Sequence, residues 1–194
     1  MSVTKDKLIA VVIEHIKAGS NLNEISLSKI ANEAEIGKST VYEHFSSKED
    51  MISSTYAYLL KQYRFILLEE VPRESFELAF KTQIKRILYV MREAKHLMDA
   101  IMKNTSEIVP HLMPEHQCLM EEIQAQMTTR FESIFAMYQL ENTLKESDFN
   151  PYSKHIIQAL ISGLMVQYVQ ETLVIDEEPL CDLLLEQVVK AITK

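Results

Sequence analysis

Only three glycines and five prolines interrupt the 194 residues, while apolar side chains recur at spacings of three and four along most of the chain. Turn-rich and meandering β architectures need many more breakers, and the spacing is that of amphipathic helices. An all-α fold is therefore expected. Hydrophobic residues make up 47% and charged residues 25%, a balance that fits a globular chain and is too apolar for a disordered one. No apolar run approaches the roughly 18–20 residues that span a bilayer. The stretch from Met1 to Lys7 lacks the apolar core of a signal peptide. The expectation is a cytoplasmic protein without a membrane partner. Cys118 and Cys181 stand alone, with no CxxC pair, as suits a reducing compartment.

The punctuation divides the chain into helical blocks. Thr4 to Lys17 carries Leu8, Ile9, Val12, Ile13 and Ile16 on one stripe and ends at Gly19-Ser20-Asn21. Ser26 is placed to cap a short block, Leu27 to Ala34, and Glu35-Ile36-Gly37 separates it from a second, Lys38 to His44. Ser46-x-x-Glu49 reads as a capping box that opens a long helix running to about Glu70. Further helices are expected near Ser75–Glu93, Lys95–Asn104, Glu115–Tyr138, Tyr152–Val174 and Pro179–Ile192, with Pro110, Pro114 and Pro151 as breaks. No repeat, low-complexity stretch or Gly/Ser linker is visible.

Residues 26–48 carry most of the functional information. Two short helices joined by a three-residue turn make a helix-turn-helix, with Ile30, Ala31, Ala34, Ile36, Val41 and Phe45 as its internal apolar contacts. The second helix presents Lys38, Ser39, Thr40 and His44 near its start and outer face. Short donors and cations placed there reach base edges and phosphates in a major groove.

This segment resembles the TetR family of transcriptional regulators. The resemblance rests on Ile30-Ala31, Ala34, Lys38-Ser39-Thr40-Val41-Tyr42-Glu43-His44-Phe45 and Lys48-Glu49, placed after one amphipathic N-terminal helix. It implies a three-helix DNA-binding domain over 1–47 and a helical ligand-binding and dimerisation domain over 48–194. It also implies a homodimeric repressor that a small-molecule inducer releases from a palindromic operator in double-stranded DNA, with no enzymatic activity and no cofactor. The chain departs from the family pattern at two places. Glu35 stands where the family has Gly in the turn, with Gly37 two places on. The loop after the first helix is one residue longer, with Asn21 and Leu22 where an aromatic is usual.

By the same resemblance, Tyr42 and Lys48 contact phosphates, Lys48 at a helix start where free N–H groups also favour an anion. His44, Ser26 and Ser28 are further phosphate candidates, and Lys38, Ser39 and Thr40 are the base-edge candidates. Tyr42 can instead be a packing residue, and Ser26 a pure cap. The net charge is −8, so no overall basic field attracts nucleic acid. Residues 1–50 hold six lysines, no arginine and eight acids, a net of −2. Binding must come from Lys29, Lys38 and Lys48 gathered on one face, and must fall steeply with salt.

Other constellations are weaker. His111, Met113, His116, Cys118 and Met120 surround the Pro110/Pro114 break. A metal- or thiol-sensing helical protein is the alternative reading, although His-x4-His-x-Cys is no standard ligand spacing. Glu93-x-x-His96 lacks the second copy that a di-iron bundle needs, so no metal site is expected. A third alternative is an interaction module whose helix-turn-helix no longer binds DNA. Tyr56, Leu60 and Tyr63 share a helix face, as do Phe80, Ile84 and Leu88, and Met98 and Met102, and Ile123, Met127 and Phe131. Each stripe reads as plain core taken singly. Jointly, a Met- and Tyr-rich interior suits an apolar ligand cavity. The last two helices are apolar on more than one side, which calls for cover by a second copy. Ala159, Gly163, Val166, Leu184 and Val188 are the expected interface residues.

Overall fold

The computed structural model describes residues 3–20, 24–103, 109–145 and 148–192, and the side chains of all of these except 96–103 and 109–115. Eight helices follow one another among the described residues: α1 (Val3–Lys17), α2 (Leu27–Glu33), α3 (Lys38–His44), α4 (Lys48–Leu68), α5 (Phe76–Lys103), α6 (Val109–Glu141), α7 (Ser153–Val169) and α8 (Glu177–Ile192). The fold is all-α. No described helix is long and apolar enough to cross a membrane.

Most expected helices are present, and the differences have local causes. The two blocks expected between Ser75 and Asn104 form the single helix α5, because Ala94-Lys95 contains no breaker and both residues favour helix. Helix α6 starts ahead of its prolines, at Val109. Pro110 falls in the first turn, where a helix has no N–H bond to lose. Helix α4 begins at Lys48, so Ser47 and not Ser46 is its cap. The Asp50 N–H donates to Ser47 Oγ at 3.1 Å, and Asp50 Oδ2 reaches back to the N–H and hydroxyl of Ser46 at 2.8 and 2.9 Å. The bond from the Ser46 backbone N–H holds the Asp50 carboxyl below its ordinary range.

The scarcity of glycine does not prevent left-handed helix ends. Four helices close with the paired 6→1 and 5→2 backbone bonds of a Schellman motif. After α1 the bonds are Ser20 N–H to His15 O and Gly19 N–H to Ile16 O, and only here does a glycine take the positive φ, at 68°. After α2, α6 and α7 the left-handed residue is Glu35, Thr143 or Glu171, at φ 56°, 52° and 61°.

The chain forms two compact units, Met1–Phe65 with Glu93–Ile123 and Ile66–Arg92 with Gln124–Lys194. In the first, α1 buries Leu8, Ile9, Val12 and Ile16, while α2 buries Leu27, Ile30 and Ala31, α3 buries Val41, and Phe45 just after α3 and Met51 and Ile52 near the start of α4 are buried as well. His15 Nε2 pairs with Glu33 Oε2 at 2.6 Å, which ties α1 to α2, and the Lys5 ammonium lies 5.0 Å above the Phe45 ring.

In the second unit one core joins Phe76, Phe80, Ile84 and Leu88 of α5 to Ile134 of α6, Ile157 and Met165 of α7, and Leu180, Leu184, Val188 and Ile192 of α8. Ion pairs fasten its rim: Lys81 with Asp182 at 2.6 Å, Arg92 with Glu177 at 2.6 Å, and Lys85 with Glu178. Leu184 and Val188 were expected to face a second copy. Both are fully enclosed by their own unit. Apolar spacing marks a covered face without saying which neighbour covers it.

Candidate nucleic-acid interface

The helix-turn-helix is built by backbone bonds that the local sequence dictates. Ser26, at extended φ and ψ of −91° and 152°, caps α2 by accepting from the Lys29 N–H at 3.1 Å. The turn is the Schellman closure, with Ile36 N–H on Ala31 O at 2.9 Å and Glu35 N–H on Asn32 O at 3.1 Å. Ala31 is 1% exposed, small where the closure brings Ile36 onto it. Gly37 caps α3 at φ −60°, an ordinary value, and offers no side-chain cap.

Glycine and glutamate therefore stand the wrong way round for backbone comfort. A left-handed residue with a Cβ costs on the order of 1 kcal/mol. At Gly37 a Cβ meets nothing closer than Thr40 Oγ1 at 3.8 Å, ordinary contact. Glu35→Gly is expected to raise Tm by about 2–4 °C per kcal/mol gained and also to strengthen DNA binding, since it removes an exposed carboxylate one residue before Ile36-Gly37 and α3. Gly37→Ser is expected to be neutral or to add a few tenths of a kcal/mol through its cap. Calorimetric melting and fluorescence anisotropy check the pair. A drop in Tm for Glu35→Gly would count against the strain.

The seven residues of α3 bury Val41 and leave Lys38, Ser39 and Tyr42 exposed, with Thr40 and His44 half-buried. Tyr42 is 54% exposed, so its ring is not core. Lys48 is half-buried, Ser26 exposed and Ser28 half-buried. Two of the neighbouring acids are held by partners. Glu33 is bound by His15 and lies 3.9 Å from Lys29, and Asp50 is bound by Ser46. Glu35 and Glu43 remain exposed beside α3.

The residues expected to line a ligand cavity are dispersed between the units. Tyr56 and Tyr63 are buried and Leu60 and Ile123 half-buried in the first. Phe80, Ile84 and Leu88 are 0% exposed in the second, which makes them closed core and not the wall of an open cavity. Met127 and Phe131 are half-buried there. Met98 and Met102 lie outside the described side chains.

Two buried polar groups lack a hydrogen-bond partner among the described residues, the Tyr56 hydroxyl and Gln83 Oε1. Burial pushes the Tyr56 phenol well above its ordinary pKa. The Gln83 amide N–H donates to Leu67 O at 3.0 Å, which fixes the amide's orientation and aims Oε1 away from that carbonyl. Nothing in the sequence distinguishes Gln83, Asn104, Gln124, Gln158 and Gln167 as inward-facing polar groups. Gln124, Gln158 and Gln167 are exposed, and Asn104 lies outside the described residues.

The end of α4 has a second feature that no spacing announces. Four consecutive carbonyls there are taken by side chains from α5 and α6: Leu67 by Gln83, Leu68 by Arg130 at 2.6 Å, and Glu69 and Glu70 by Arg86 at 2.6 and 3.0 Å. A helix leaves its last carbonyls unsatisfied and partly negative. Two guanidiniums and an amide answer them.

Among the described residues, those of the metal- and thiol-sensing alternative are not gathered. His116 shares a hydrogen bond with Ser53 at 3.2 Å and Cys118 is exposed. Among the described residues no three His, Cys, Asp or Glu side chains cluster as a metal would require. His96, His111 and Met113 lie outside the described side chains.

On the seven-residue exposed helix and its turn, the comparisons with known proteins agree. Residues 21–55 match the family model of bacterial regulatory proteins, tetR family. No curated protein matches the chain in sequence. Among solved structures, a tetR-family transcriptional regulator from Streptomyces coelicolor is similar at a TM-score of 0.66 and 15% identity, over 98% of this chain and 82% of that one. FadR from Bacillus subtilis, solved with stearoyl-CoA, is similar at 0.58 and 20% identity, over 96% and 98%. NalD of Pseudomonas aeruginosa, the secondary repressor of the MexAB-OprM multidrug efflux pump, is similar at 0.56 and 16% identity, over 98% and 96%. Residues 21–55 therefore match the tetR-family helix-turn-helix in sequence, and the chain as a whole shares the fold of these regulators.

Proposed function

We propose that the protein is a ligand-responsive transcriptional regulator, a homodimeric repressor of a palindromic operator. The observation that carries the reading is α3, which offers Lys38, Ser39 and Tyr42 to solvent on a helix-turn-helix whose apolar side is closed. Lys38, Ser39 and Thr40 read base edges; Tyr42, His44, Lys48, Ser26 and Ser28 hold phosphates. Residues 1–47 act as the DNA-binding domain and 48–194 as the ligand-binding and dimerisation domain. FadR's stearoyl-CoA and NalD's role as a repressor support an effector and a repressing outcome by likeness of fold. The unsatisfied Gln83 Oε1 supports an interior that accepts a hydrogen bond from a guest.

Dimerisation rests on α7. Its inner side is packed into the core through Ile157, Ile161, Leu164 and Met165. The other side carries Ile156, Ala159, Gly163 and Val166, of which Ile156 and Val166 are 39% and 42% exposed. A Cβ at Gly163 would meet nothing within 4 Å, which leaves room for a close helix. Selection from random duplex DNA by the purified protein, scored by anisotropy at two salt concentrations, tests the reading. Enrichment of a palindrome with half-sites about one turn apart is expected. Binding without sequence preference that vanishes as salt rises, repeated after refolding away from any bound effector, would overturn it.

A further inference from the structure

The second unit contains an open groove of about 770 Å³, and none of the interior residues proposed above as effector contacts lines it. Its floor is apolar: Leu68 at the end of α4, Val71 just beyond, and Met137 of α6, with the fully buried Ile134 beneath them. The Thr129 and Ser133 hydroxyls on its wall donate back to the carbonyls of Ala125 and Thr129 at 3.3 and 3.1 Å, so they offer no proton to a guest. The charged lining is Arg73, Arg130 and Glu70. Glu70 Oε2 lies 3.5 Å from Arg73 Nη2 and 3.7 Å from Arg130 Nη1. Two guanidiniums share one carboxylate, which leaves the mouth with one uncompensated positive charge over an apolar floor. The volume falls in the range of small-molecule sites.

We propose that this groove binds a monoanionic amphiphile, an alkyl or aryl chain with one carboxylate. The carboxylate sits on Arg73 and Arg130, where a guanidinium presents paired donors to it, and the chain lies along Leu68, Val71 and Met137. A dianion would exceed the charge available, and a cation would meet two arginines. The site has a built-in consequence. Arg130 also donates to the Leu68 carbonyl, so a guest carboxylate competes for the group that holds the end of α4. That consequence rests on the reading as a ligand-responsive regulator, whereas the binding itself does not.

Isothermal titration of the full-length protein with dodecanoate, kept below its micelle concentration, tests the proposal beside 1-dodecanol and dodecyltrimethylammonium. Dodecanoate is expected to bind more tightly than either. Arg73 is 85% exposed in its side chain, so Arg73→Gln should leave folding intact and weaken dodecanoate about two- to fivefold, the range of an exposed ion pair. Glu70→Gln removes the competing carboxylate and should tighten it by a similar factor. Opposite signs from neighbouring substitutions cannot come from loss of fold. Ala125→Trp, at an exposed position on the wall, should block the groove with Tm unchanged. Absence of dodecanoate binding, equal affinity for the three probes, or indifference to all three substitutions would overturn the proposal. Operator binding measured on the same samples separates the two readings: dodecanoate bound in the groove of a protein that selects no DNA sinks the regulator and spares the groove.

Discussion

Lys48→Ala combined with Tyr42→Phe weakens binding to every duplex alike and flattens its salt dependence. Each lysine withdrawn from a phosphate reduces the slope of log K against log salt by about 0.9, so a dimer that loses two is shallower by nearly 2. Tyr42→Phe removes only a hydroxyl from a ring that is already exposed, so stability stays within about 0.5 kcal/mol. Lys38→Ala behaves differently. A lysine at a base edge discriminates one base by about 1–3 kcal/mol, and its loss relaxes preference at a single operator position. Anisotropy titrations at three or four salt concentrations, on the selected operator and on a scrambled duplex, separate the two classes. An unchanged salt slope for the double variant would remove Lys48 and Tyr42 from the phosphate contacts. The effect should be clear because the first 50 residues carry a net charge of −2, which leaves few cations to compensate.

Leu184→Ala is expected to destabilise the fold by about 2.7–5 kcal/mol, and Val166→Glu to dissociate the proposed dimer while leaving each subunit folded. Leu184 is 0% exposed among Phe80, Ile84, Leu88 and Val188, and truncation there leaves a cavity that close-packed neighbours fill only in part. Val166 lies on the bare side of α7, so a carboxylate there costs a monomer nothing and a dimer the burial of an unpaired charge. Thermal melting separates the two substitutions by their Tm. Sedimentation equilibrium at micromolar concentration reads the mass, with Val166→Glu expected at the 22.4 kDa of one chain. A Val166→Glu protein that still sediments as a dimer would place the interface elsewhere. A Leu184→Ala protein that keeps its Tm but loses its partner would return Leu184 to the interface.

Most of what depends on a few neighbouring residues was legible in the sequence. The Ser26 cap, the three-residue turn of Glu35-Ile36-Gly37 and the apolar stripe of α1 each follow from local sterics and hydrogen bonding, although the positive φ of that turn falls on Glu35 against its steric preference. So the helix-turn-helix could be placed from residues 26–48, and its exposed side chains named, without knowledge of the rest. The cap of α4 was misplaced by one residue because Ser46 and Ser47 are chemically equal, and only the path of the chain selects Ser47. The expected break near Ala94 failed for the converse reason: two helical stretches with no breaker between them fuse.

Side-chain partners distant in sequence were decided by tertiary structure alone. Periodicity marks Leu184, Val188, Ile156 and Val166 as apolar faces equally. The core shared by α5, α6, α7 and α8 encloses the first two and leaves the last two bare, since a single helix pattern carries no label for its neighbour. The same holds for Gln83, one glutamine among several until the end of α4 meets its amide. It holds also for Arg86 and Arg130, whose sequence context is that of ordinary surface cations. Their roles exist because α4 stops at Leu68 with its carbonyls turned toward α5 and α6, and a helix end that needs donors takes them from whichever residues the fold brings there.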